Sequence, residues 1–541
     1  MSSEICGKIV DVVKREVYNG KLIIENGIIK DILKSNNEYQ DFILPGFIDS
    51  HIHIESSMLV PSEFASLAVK FGTIATVSDP HEIANVLGLK GIEFMISNGN
   101  STPFKFFWGA PSCVPATNFE TPGATVNAND IKILFEKYHL LYLSEVMNYP
   151  GVIYNDEEVH KKINVAKSYN LPIDGHSPGL RGENLKKYIS AGISTDHECF
   201  SLDEALEKIN LGMKILIREG SAAKNYETLK LLIKTHPESV MFCVDDLHPD
   251  DLLHGHINLL VKRALNDGFD LFNVLRCCSY NPVKHYNLNV GLLQKGDPAD
   301  FIIVNNFNDF QVQSTYINGT CVYENNKVNI SKAKVELVNK FNAKHKTPND
   351  FILPATSNLI RVIEAIDGEL ITNEIIEKAM IVSDTVISDP TRDILKLVVV
   401  NRYSDTKPAV AFIKNFGLKY GAIATSIAHD SHNIVAVGTN DNYLTKAVNL
   451  IIEYKGGMCF YSDNEKEILP LPIAGIMTDE NGNKVAEKYQ RLNELVHKAG
   501  CQLKAPYMTL SFMALLVIPK LKLSDKGLFD GEKFKFVSVF I

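Results

Sequence analysis

The chain has 541 residues, more than one hydrophobic core usually serves, so two or more domains are expected. Apolar residues make up 45% and charged residues 22%, an ordinary globular balance, and the formal charge of -9 with no Lys/Arg run excludes a general nucleic-acid binder. A neutral nucleobase remains open as a substrate, since it needs no basic groove. Nine scattered cysteines, odd in number and without a CxxC pair, fit a reduced cytosolic compartment better than a secreted disulfide framework. Residues 1–8 lack a basic region followed by an apolar core, and no apolar run is long enough to span a bilayer, so a soluble cytoplasmic protein is expected.

Residues 5–44 alternate short apolar runs with turns, including an Asn26-Gly27 hairpin signal, and predict a small antiparallel sheet. From residue 42 the pattern becomes apolar strand, polar elbow, helix. The first strand runs through Pro45-Gly46-Phe47-Ile48-Asp49-Ser50-His51-Ile52-His53, and a helix over 62–71 stops at Gly72. Strands follow at 74–79, 105–109, 140–145, 171–176, 193–197, 214–218 and 240–246, with helices at 155–169, 183–190 and 201–211. Such near-continuous apolar strands are buried on both faces, and about eight strand–helix units in roughly 250 residues is the (β/α)₈ barrel expectation. Residues 281–330 return to short strands and turns and are expected to complete the N-terminal sheet. A polar linker follows, and a second alternating region begins near 351. The predicted organisation is a small β domain from 1–44 and 281–335, a barrel over 45–280, and a C-terminal α+β domain over 350–541.

The polar chemistry falls in one register. His51/His53, Asp79/His81/Glu82, Glu145, His176, His197, Arg218/Glu219 and Asp245/Asp246 all stand at or just past a predicted strand's C-terminal end. In a barrel those ends converge on one mouth. His51 and His53 share a face, because side chains alternate along a strand, and can reach one metal ion together. His176 and His197 offer a second position, and Glu145 is the natural bridge. Two divalent ions sharing a water make a hydroxide nucleophile, and Asp245 or Asp246 could accept its proton. Imidazole and carboxylate donors without thiolate fit Mn²⁺, Fe²⁺ or Zn²⁺.

The segments LPGFIDSHIHIESSM, VSDPHEIANV, APSCVPAT, SEVMNYPGV, DGHSPGL, STDHE, LIREGSAA, CVDDLHPDDL and GLLQKGDPADFIIV resemble the bacterial adenine deaminases of the amidohydrolase superfamily. The likeness continues into GAIATSIAHDSHN at 421–433. PGFIDxHxH and GDPAD mark only the superfamily, whereas HIESSM, DPHEIANV and HDSHN are far more specific. The resemblance implies His51 and His53 on one metal, Glu145 bridging, His176 and His197 on the other, and Asp245 as ligand and proton shuttle. Val244 departs from the superfamily, where a small hydroxyl residue is common. The implied reaction is adenine plus water to hypoxanthine plus ammonia by hydroxide attack at C6, with Mn²⁺ or Fe²⁺ favoured over Zn²⁺, and the implied assembly is a homodimer.

Attack at C6 makes N1 basic, so an acid must face it. The Asp79/His81/Glu82 cluster is the candidate, with Glu82 as donor, although Glu82 could instead cap the next helix. Arg218, Glu219 and Ser221 could meet the purine edge or form a salt bridge across strand ends. The HDSHN segment could close over the mouth or be a polar turn. The sequence also admits a cyclic amidase or N-deacetylase of the same superfamily, and a catalytically dead barrel, which the full ligand set argues against. The H-x-E…P-C-x-x-C deaminase site is excluded, since the sequence has no such cysteine pair.

Overall fold

The computed structural model describes residues 2–541; the N-terminal reading therefore lies outside it at Met1. The chain forms two compact units, one of residues 1–80, 93–113 and 127–335, the other of 81–92, 114–126 and 336–541.

The first unit holds a parallel barrel. Its strands are β1 (Phe47–His53), β2 (Thr73–Ser78), β3 (Lys105–Ala110), β4 (Tyr142–Val146), β5 (Ile173–Gly175), β6 (Thr195–Asp196), β7 (Lys214–Arg218) and β8 (Val240–Cys243, resumed at Asp245–Asp246). β1 to β5 pair in sequence order, as do β6 to β8. Two contacts join these arcs into a ring. Ser194 donates its N–H to the Ile173 carbonyl at 2.8 Å, and Asp245-Asp246 pairs in parallel with Ile52-His53 of β1. All residues of β1, β2 and β4 are buried, as a core enclosed by helices requires.

The same unit carries an eight-stranded sheet. In spatial order its strands are Lys327–Val328, Thr320–Glu324, Val312–Ile317, Phe301–Val304, Phe42–Pro45, Ser2–Asp11, Glu16–Glu25 and Ile28–Lys34. Ile9, Leu22, Ile24, Ile29, Ile43 and Phe301 form its core. Phe42–Pro45 runs straight into β1, so the sheet fixes the entry of the HxH strand. One expectation changes here. Residues 281–286, expected within a run of short strands and turns, belong to a helix from Tyr280 to Tyr286, and Pro282 sits in its first turn, where the missing N–H costs nothing.

The second unit is built on another eight-stranded sheet, whose centre is Leu395–Val400, Ile434–Gly438, Ala422–Thr425 and Gly457–Tyr461. The helix Asp441–Glu453 lays Leu444, Ala447, Val448 and Ile451 on Val398, Val400, Ala424 and Ala436. No helix among the described residues is long and apolar enough to cross a membrane.

Candidate metal centre and a histidine-bound glutamate

His51 and His53 leave β1 on one face, with ring centroids 4.9 Å apart and both rings buried. Glu145, at the end of β4, spans the groups expected to cooperate. Its Oε1 lies 3.2 Å from His53 Nε2 and 4.0 Å from His51 Nε2, while its Oε2 lies 2.9 Å from His176 Nδ1 and 3.4 Å from His197 Nε2. His197 stacks on His51 at 4.1 Å. Asp245 completes the ring, with Oδ1 3.2 Å from His51 Nε2 and 3.1 Å from His53 Nε2. The neighbouring Asp246 instead accepts a hydrogen bond from Ser56 Oγ, which separates the two adjacent acids. Asp245 has φ of 61°, a left-handed conformation that aspartate tolerates better than most residues and that interrupts β8 where the carboxylate must turn in.

Burial and ion pairing compete throughout this cluster. Burial pushes both carboxyls up. Hydrogen bonds from His176, His197 and His53 nevertheless hold Glu145 well below the usual carboxylate range, and the Arg218 guanidinium with His51 and His53 does the same for Asp245. Burial lowers the imidazoles, and it prevails at His51. Asp245 and Glu145 outweigh it at His53, which lies well above the ordinary value, and Glu145 raises His197 to about 9.

Among the described residues, three donor sets that lie wholly within the first unit could hold a metal ion, His51/His53/Asp245, His51/Glu145/His197 and His176/His197/Glu198, and His81/Glu82/Asp430 is such a set within the second, each with its ligand atoms within 4.8 Å of one another. His51 provides the sharper test. It is fully buried, its Nδ1 has no hydrogen-bond partner, and its Nε2 faces the Asp245 and Glu145 carboxylates outside hydrogen-bond geometry, an arrangement that costs about 1–3 kcal/mol unless a cation takes the lone pair. The surrounding groups orient these donors as a metal site requires. His53 Nδ1 lies 3.1 Å from the Asp79 carbonyl, which fixes the ring, while at His51 it is the backbone N–H that donates to Asp49 Oδ1 at 3.2 Å and holds the strand in place.

Several supports were invisible to motif reading. Asp49 also accepts the Val244 N–H at 3.2 Å and pairs with His256 Nε2 at 2.9 Å, clasping β1 to β8. Buried Lys208 holds Asp196 at 2.8 Å, and Asp196 in turn accepts the Glu198 N–H at 2.7 Å. Glu198 stands 3.4 Å from His197 Nε2 and pairs with Arg218. The acids flanking His197 in STDHE were its only sequence signal.

Arg218 points inward, to Glu198 and Asp245. Glu219 and Ser221, grouped with it in the sequence, do not join the cluster. Strand alternation turns Glu219 away to Arg263 at 2.9 Å, and Ser221 Oγ is spent on Asp251 at 2.5 Å and on the His248 N–H at 2.8 Å.

His81 and Glu82 belong to the second unit. Glu82 is buried, with Oε1 2.6 Å from His429 Nδ1 and 3.5 Å from His81 Nε2, and Oε2 hydrogen-bonded to His432 Nε2. Burial raises its pKa, but His429, His432 and His81 together hold it well below the usual range. Burial pushes His432 down to about 4. The HDSHN histidines are thus the partners of Glu82, and Phe512 stacks on His429 at 4.6 Å.

Donors of this kind at one end of a parallel barrel define a metal-site hydrolase scaffold, and the Amidohydrolase family model matches residues 42–322. The Adenine deaminase C-terminal domain model matches 369–535. An adenine deaminase of Sulfurovum sp. (strain NBC37-1) is 54% identical over 535 residues, covering 99% of both chains. One of Methanosarcina mazei is 51% identical over 547 residues, again covering 99% of both. A solved β-aspartyl dipeptidase of Fervidobacterium islandicum AW-1 is 16% identical, with a TM-score of 0.47 over 61% of this chain and 99% of its own. The chain belongs to the adenine deaminase family.

Proposed function

We propose that this protein hydrolyses adenine to hypoxanthine and ammonia. The observation that carries this reading is the Glu145 carboxylate, one oxygen on the HxH pair and the other on His176 and His197. Divalent ions held by His51, His53, Glu145, His176, His197 and Asp245 would supply Lewis acidity and a water acidified toward neutral pH. The N/O donor set suits Mn²⁺, Fe²⁺ or Zn²⁺, and the family resemblance favours the first two.

The protein's own groups manage the protons. Asp245, ionised and aimed at the histidine nitrogens through Oδ1, accepts the proton of the attacking water and passes it to the departing amino nitrogen. As C6 becomes tetrahedral, N1 gains basicity and takes a proton. We assign that proton to the Glu82 group, which follows Asp79 by three residues. The 2.6 Å hydrogen bond between Glu82 Oε1 and His429 Nδ1 gives that group a route for the proton. Loss of ammonia, with the C6 hydroxyl proton released to solvent and the Glu82 group regaining one from it, leaves the C6 carbonyl of hypoxanthine. Nine free cysteines support a reducing cytoplasmic setting, and the family resemblance supports a homodimer, which light scattering would test.

The deciding assay strips the protein with a chelator, reloads it with Mn²⁺ or Fe²⁺, and follows ammonia from adenine, adenosine, guanine and cytosine. Release from adenine alone, and only after reloading, is expected. An inert response to adenine would overturn the assignment.

A further inference from the structure

Resting on that reading, we infer that Arg218 is a positioning residue: anchored by Glu198, its guanidinium grips one oxygen of Asp245 and leaves the other facing the histidine nitrogens. Nη1 is shared between Glu198 Oε1 and Asp245 Oδ2, Nη2 reaches Glu198 Oε2 at 3.3 Å, and Nε donates to the Ala223 carbonyl at 2.9 Å. Most of the guanidinium's five donors are therefore spent within the protein, leaving little for a purine edge. Asp245 Oδ1 is the oxygen at 3.1–3.2 Å from His53 and His51, so the carboxylate has a fixed division of labour.

The backbone is arranged to make this grip rigid. The Arg218 N–H donates to Asn225 Oδ1 at 2.7 Å, and Asn225 Nδ2 donates to the carbonyls of His197 at 3.1 Å and Cys199 at 3.2 Å. One side chain thus ties the end of β7 to the segment bearing Glu198. At Gly220 an added Cβ would lie 2.0 Å from the Val244 carbonyl oxygen and 2.3 Å from that of Asp246. Only glycine lets the turn after Arg218 rest on the backbone either side of Asp245. Glu198 contributes charge balance, since one guanidinium between two carboxylates is stable only if both stay in register.

The test compares Arg218→Gln, Arg218→Lys, Glu198→Gln and the Arg218→Gln/Glu198→Gln double variant, each reloaded with metal. We expect Arg218→Gln to lower kcat for adenine about 100-fold, with KM within about threefold and metal content per chain unchanged. Arg218→Lys should recover part of that loss, and Glu198→Gln should fall about tenfold in kcat. The double variant should be no worse than Arg218→Gln, because Glu198 acts through the arginine. A more than tenfold rise in KM at constant kcat would show that the guanidinium binds the purine and would overturn the inference, as would loss of metal or additive effects. Should Arg218→Gln not fold, Glu198→Gln decides by the same KM-against-kcat split. A crystal structure of metal-loaded Arg218→Gln with Asp245 unmoved would also sink the inference, whatever the substrate. Failure of the wild type to release ammonia from adenine counts against the function, and that structure then judges the positioning alone.

Discussion

Glu145 touches both histidine pairs, and its charge matters as much as its reach. A Glu145→Gln change keeps the length but turns an N–H₂ donor toward imidazole nitrogens needed as ligands. Metal content should fall below that of the wild type and kcat should drop on the order of 1000-fold, read by elemental analysis and ammonia release. Glu82 makes a contrasting case, because its neighbours are His81, His429 and His432 in the other unit. Glu82→Gln should cost about 100-fold in kcat with the metal content of the first unit intact, and a fully active variant would remove Glu82 from proton transfer. Much of this was legible at the level of single residues, since the HxH alternation and the strand-end donors depend only on local pattern. The choice between Asp245 and Asp246 was not legible, because it rests on a left-handed backbone at Asp245 and on Ser56, far away in sequence.

Among elements, the seam between β1 and β8 governs the cluster, since His51, His53 and Asp245 line its two sides. Asp49 holds it by accepting N–H groups from both His51 and Val244 while paired to His256, whose Nδ1 lies 2.8 Å from Thr73 Oγ1 on β2. Asp49→Ala removes a buried acceptor and strands three donors. It should cost about 3 kcal/mol of stability in urea titration and lower metal affinity together with it, whereas a purely catalytic role would leave stability untouched. The barrel's strand order could be anticipated because parallel strands advertise themselves as apolar runs. Asp49–His256 and Lys208–Asp196 could not, because a lone His or Lys carries no local mark of a partner brought near by folding. The Tyr280–Tyr286 helix was missed for the opposite reason, since Pro282 reads as a breaker although its place in the first turn is permissive.

On the scale of the molecule, composition placed a boundary near residue 350, yet the second compact unit also takes in 81–92 and 114–126 from between barrel strands. The apolar face of a helix such as His81–Leu87 does not reveal which core it will join, so that membership had no sequence signature. The second unit also contains a lysine that ties its stability to pH. Lys522 is fully buried, donates to the carbonyls of Leu370 at 2.6 Å and Phe512 at 2.9 Å, and has no carboxylate partner among the described residues. Burial pushes its ammonium down from 10.5 to about 7. Between pH 7 and 10.5 the unfolded chain therefore binds a proton that the folded chain does not, and stability rises with pH across that window by up to about 1 kcal/mol per unit. Below pH 7 both states are protonated and this contribution stays constant. Lys522→Met should remove that slope, so the stability difference between wild type and variant should move in favour of the wild type from pH 7 to pH 10. Hydrogen exchange in the strand Leu521–Ser524, followed across that range in the full chain, reads the difference where it arises. A difference independent of pH would mean that Lys522 keeps its charge in the folded protein.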